Sequence, residues 1–159
     1  MVDLITGNRF GDATGAYLPQ FGNRVVKAST IASQPDALFD VTGKCLITLM
    51  VGEVTSVIAT STSMSINTST SDAVLSASTQ ITTDALGTLY VVCGDLGLGF
   101  NAGGVPNVDA AMLDVGSITP FLMNDDQIEM NVNSAGTGLV EWTLYYLPLE
   151  SGALVVAAA

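Results

Sequence analysis

Nearly all the reactive side chains of this chain are carboxylates. Fifteen Asp and Glu stand against four Lys and Arg, and there is no histidine. Without histidine the commonest general base is gone, with every Ser-His-Asp or Cys-His arrangement and the usual zinc and iron sites. A Ser-Lys pair built on Lys44 has no S-x-x-K spacing behind it. Asp125, Asp126 and Glu129 are close enough in sequence to hold Ca²⁺ together with carbonyl oxygens. Their spacing is not an EF-hand loop, however, and Asp-Asp-Gln is ordinary turn chemistry. A glycosidase needs two carboxylates across a cleft, and nothing in the spacing singles out such a pair. The run Gly97-Leu98-Gly99-Phe100-Asn101-Ala102-Gly103 imitates a dinucleotide fingerprint. Its third glycine falls one position late and no helical pattern follows it, so a long surface loop is expected. Cys45 and Cys93 lie in apolar runs and form no C-x-x-C site; they read as two buried thiols or as a bridge between strands. These residue types predict no enzyme, no cofactor and no bound metal.

Aromatics offer a different chemistry, because they can stack on sugars. Trp142, Tyr145 and Tyr146 fall on one strand pattern. Alternation puts Trp142 and Tyr146 on one face and Tyr145 on the other. The first two read as core, with a sugar platform as the second reading.

The elements that would position these groups are strands. From Leu38 onward, short apolar or alternating runs are separated by turn residues. Cys45–Val51 continues through Gly52 into Glu53–Ala59, and a glycine inside a strand suggests a bulge or tight corner. Met64–Thr68 and Gln127–Asn133 alternate strictly, the second with Ile128, Met130 and Val132 on one face. Ala73–Ala77, Thr79–Thr83, Thr88–Cys93, Ser117–Met123, Leu139–Leu147 and Ala153–Val156 are further strand candidates. Val108–Val115 fits a strand or a helical turn. Turns are expected at Asp40–Gly43, Asp84–Gly87, Asn124–Asp126 and Ser134–Gly138, and a loop over Gly94–Asn107. The Ser/Thr-rich stretch Thr55–Thr83 reads as strands because Val57, Ile58, Met64, Ile66, Val74, Leu75 and Ile81 are interspersed in it. Eight or nine strands with no long helical period predict an all-β domain. At that count a β-sandwich of jelly-roll type is the expected solution.

Residues 1–37 differ. They carry four glycines and two prolines, with Phe10, Tyr17, Leu18 and Phe21 scattered without period. We read 1–37 as an N-terminal arm and 38–159 as the sandwich body. The arm either docks on another molecule or folds over its own body. Charge divides at nearly the same place. All four cations, Arg9, Arg24, Lys27 and Lys44, lie in the first 44 residues, where four acids balance them. The remaining 115 residues hold eleven acids and no Lys or Arg, so the whole net charge of −11 sits there. Phosphate binding needs clustered cations, so neither nucleic acid nor an anionic membrane surface is an expected partner. No stretch approaches the roughly 20 apolar residues that span a bilayer. The N-terminus has no basic region followed by an apolar run, so synthesis in the cytoplasm without export is expected.

Leu38-Phe39-Asp40-Val41-Thr42-Gly43 followed by Ile47–Thr55, then Thr83–Tyr90, then Gly138–Leu149 resembles small virion proteins of tailed bacteriophages. The resemblance covers roughly residues 38–157. It is to head decoration, or cement, proteins, which are β-sandwiches that bind the outside of a capsid, often as trimers. It implies a virion location, the major capsid protein as partner, and a homotrimer. Phe10, Tyr17, Arg24 and Lys27 are the arm residues expected to make the capsid or subunit contact. The composition agrees: 48% hydrophobic and 12% charged residues, with a mean hydropathy of +0.50, suit a chain whose surface is covered on assembly. The alternative is a tail or baseplate module that binds a receptor or glycan through loop 94–107 and exposed aromatics.

Overall fold

The computed structural model describes residues 22–31, 35–59, 62–92 and 120–159. Every regular element in them is a strand: β1 (Asn23–Thr30), β2 (Asp36–Ser56), β3 (Ser63–Thr68), β4 (Val74–Gln80), β5 (Leu89–Val92), β6 (Phe121–Val132), β7 (Leu139–Pro148) and β8 (Leu154–Ala157). The protein is all-β. No helix among the described residues is long and apolar enough to cross a membrane.

All pairings are antiparallel, and the main path runs β1-β7-β2-β6-β3-β4. β2 is the organiser. Its 21 residues pair with four other strands. Along one edge lie β8 and then β7; along the other lie β6 and then β5. One apolar cluster draws on every described strand, from half-buried Val25 on β1 to Val155 on β8. Alternation is clean where one face is buried. Met64, Ile66 and Thr68 of β3 are buried with half-buried residues between them, and Ile128, Met130 and Val132 of β6 behave in the same way.

Several expectations change. The arm does not extend to residue 37, because Asn23–Thr30 is a strand paired along its whole length with β7, and β2 begins at Asp36. Its period is obscured because Val25 and Val26 are both half-buried on opposite faces of an edge strand. The expected turns Asp40–Gly43 and Asn124–Asp126 are not turns either. They lie opposite each other inside β2 and β6, where the register shifts between Val41 and Lys44. Turn-type residues serve a bulge here: Gly43 has φ 64°, Asp125 has φ 45°, and the Gly43 N–H donates to Asp125 Oδ1 at 2.7 Å. Finally, Ala73–Ala77 and Thr79–Thr83 are not two strands. They are replaced by the single strand β4.

Gly52 also departs from its reading as a bulge or tight corner. It sits in register, opposite Trp142 on β7 and Tyr90 on β5, while the β2–β7 irregularities fall at Ile47/Leu49 and Val54/Ser56. A Cβ on Gly52 would stand 2.7 Å from the Trp142 ring. The glycine leaves room for Trp142 to lie across β2 and stack on Tyr90, with ring centroids 6.2 Å apart and planes 28° from parallel. Tyr90 then donates its hydroxyl to Asp84 Oδ2 at 2.6 Å, which ties the aromatic pair to the segment entering β5. Burial pushes the Asp84 carboxyl up despite that bond, and burial together with the Asp84 carboxylate pushes the Tyr90 hydroxyl up.

Candidate interaction surface

Of the four residues expected to make the arm contact, Phe10 and Tyr17 lie outside the described residues, as do loop 94–107, Val108–Val115 and Cys93. Arg24 and Lys27 are both on β1, three residues apart, and so face opposite sides of the sheet. Arg24 is exposed beside Tyr145. Lys27, opposite Trp142, is half-buried and its Nζ donates to the Ala158 carbonyl at 2.7 Å. Lys27 therefore ties β1 to the segment after β8. The structure does not bring the two cations together into one contact.

The aromatic strand separates as alternation requires. Trp142 is fully buried and Tyr146 is buried, while Tyr145 is half-buried on the outward face. Trp142 therefore has no surface to offer a sugar. Cys45 is a buried free thiol; burial first, and then the nearby Glu150 carboxylate, push it up and away from thiolate reactivity.

The carboxylates singled out for a cation have structural work instead. Asp125 closes the bulge already described. Asp126 fastens the β3–β4 turn: its oxygens accept from the Thr70 N–H at 2.9 Å, the Ser71 N–H at 3.2 Å and Ser71 Oγ at 2.8 Å. It also takes its own strand neighbour, the Gln127 N–H, at 2.8 Å. Glu129 stands opposite Ala37 and accepts from Asn131 Nδ2 at 3.0 Å. No group of three His, Cys, Asp or Glu able to hold a metal occurs among the described residues.

Desolvation opposes the Asp126 charge, but the donated hydrogen bonds outweigh it and lower its pKa to about 2. A carboxyl held below its ordinary value of about 4 stabilises the fold above that value, and the stabilisation is lost as pH falls from about 4 toward 2. Asp126→Ala is expected to cost about 1–2 kcal/mol at pH 7, at the low end for charged hydrogen bonds because solvent screens a partly exposed group. Urea unfolding at pH 7 and again below pH 3 checks this: the gap between wild type and variant should shrink in acid.

The sequence reading missed a feature of the outward face. β2 and its neighbours set Leu46 in register with Leu147 on β7 and Leu122 on β6. Leu122 is 64% exposed, and Leu149, just past β7, is 49% exposed. Leu154 and Val156, on either side of buried Val155 in β8, are exposed as well. Lys44, two residues before Leu46, is exposed on the same face, and its main-chain N–H donates to Glu150 Oε1 at 2.9 Å. Periodicity puts Leu46 and Leu122 on the outward phase of strands whose inward phase is already apolar, but only the long-range register aligns them into a row. A search of family models, curated proteins and solved structures finds no match to this chain.

Proposed function

We propose that this chain is a non-enzymatic structural protein of a tailed-bacteriophage virion, made in the host cytoplasm. In this reading it binds the outer capsid surface as a decoration protein that stabilises the head. The body is a jelly-roll-like β-sandwich, and copies associate as a homotrimer. The major capsid protein is the partner, and neither nucleic acid nor membrane is. The observation that carries the reading is the charge split: every cation lies in the first 44 residues, and an acidic body follows. With Lys27 engaged by Ala158, the proposed contact rests on Phe10, Tyr17 and Arg24, the last exposed at the start of β1. The stapling of Asp125 and Asp126 into a bulge and a turn also favours a structural role over carboxylate chemistry.

Co-sedimentation with capsids tests this. A chain lacking residues 1–20 should keep the circular dichroism spectrum of the body and lose capsid binding. Binding at full strength by the truncated chain would overturn the arm assignment. Absence of binding by the intact chain would overturn the decoration role.

A further inference from the structure

We infer that the outward leucine row Leu122–Leu46–Leu147, with Leu149 beside it, is a self-association surface covered by a second copy of this chain. Three strands contribute the row, so it is rigid and preformed. Outward positions of a solvated sheet face are ordinarily polar, yet here the register aligns exposed Leu122 with half-buried Leu46 and Leu147 across β6, β2 and β7. Leu122, at 64% exposure, has most of its side chain in water. A buried centre with a charged rim is the anatomy of a stable interface.

Charge identifies the occupant. The patch carries both signs at its edge. Lys44 is exposed two residues from Leu46, and Glu150 follows Leu149. Glu150 uses Oε1 to accept the Lys44 main-chain N–H, while no described residue engages its second oxygen or the Lys44 ammonium. A surface that meets its own copy must carry both members of every contact: around a two-fold axis residue i meets j and j meets i, and around a three-fold axis each copy offers i to one neighbour and j to the other. Lys44 of one copy facing Glu150 of the next satisfies that rule around a two-fold or a three-fold axis alike. A purely acidic or purely basic partner would leave one of the two charges opposed. The inference rests on the self-association in the proposed function, and its test uses no capsid, so it can fail while capsid binding stands.

Sedimentation velocity of the full chain over micromolar to hundreds of micromolar provides the test. The wild type should sediment as a dimer or trimer. Leu122→Glu should weaken association at least tenfold while the circular dichroism spectrum is unchanged, since the side chain is exposed. Leu86→Glu makes the same charge change at a 60% exposed leucine away from the patch and should associate like wild type. Lys44→Glu should weaken association as well, and serves if Leu122→Glu fails to fold. A wild type that is monomeric throughout overturns the inference. So does equal association by Leu122→Glu, Lys44→Glu and wild type, or an equal loss in Leu86→Glu.

Discussion

Trp142→Ala should be the most damaging single substitution in the described core, lowering stability by about 3–5 kcal/mol. Trp142 is the largest of the fully buried side chains. Its removal leaves a cavity beside Gly52, which has no side chain to fill it, so collapse around the site is limited. The loss also strips Tyr90 of its stacking partner, and the hydroxyl of Tyr90 is what holds Asp84. Asp84 in turn accepts the Ile58 N–H on its main-chain carbonyl at 3.1 Å, so the effect should reach the segment after β2. Domains of this size have total stabilities of roughly 5–15 kcal/mol, so such a loss takes a large share. The chain has a single tryptophan, and its fluorescence disappears with the substitution. Urea unfolding must therefore be followed by circular dichroism in both proteins. Trp142→Phe keeps a ring over Gly52 and should recover most of the loss. A shift below about 1 kcal/mol for Trp142→Ala would mean that the aromatic stack contributes little to the core.

The all-β class was legible because strand alternation is local: Met64–Thr68, Ile128–Val132 and the separation of Trp142 from Tyr145 can all be read from period alone. Turn chemistry misled at Asp40–Gly43 and Asn124–Asp126. Gly and Asp mark positive φ, and positive φ serves a bulge between two continuing strands as well as a reversal of the chain. Only the long-range register of β2 with β6 distinguishes the two. The same limit hid β1. Arg24–Lys27 shows no period, and what makes it a strand is β7, more than a hundred residues later. The leucine row was hidden for a related reason. Each leucine looks ordinary in its own strand, and only pairing brings Leu122, Leu46 and Leu147 side by side. Among the candidate contact residues, the cationic character of Lys27 was evident, but its use by Ala158 depended on where the last strand returns.

Gly52→Ala should be nearly as revealing, with an expected loss of about 1–3 kcal/mol, the usual range for overpacking. The new methyl would meet three Trp142 ring carbons at 2.7, 2.8 and 3.0 Å. A ring that is fully buried and stacked on Tyr90 cannot move aside as the end of a flexible side chain would. Intrinsic preference points the other way, since alanine in place of a strand glycine reduces the entropy lost on folding. The sign of the measured change therefore decides between the two effects. Steric conflict with the ring predicts destabilisation, and a backbone role for glycine without contact predicts a neutral or stabilised variant. A double-mutant cycle isolates the cause. In a Trp142→Ala background the clash is gone and the methyl enters the vacated space, so Gly52→Ala should become neutral or favourable. The coupling between the two sites should then exceed about 1 kcal/mol, as for residues in direct contact. Additive losses would show that Gly52 is required for its backbone, and that the reach of Trp142 across β2 to Tyr90 does not depend on an empty position between them.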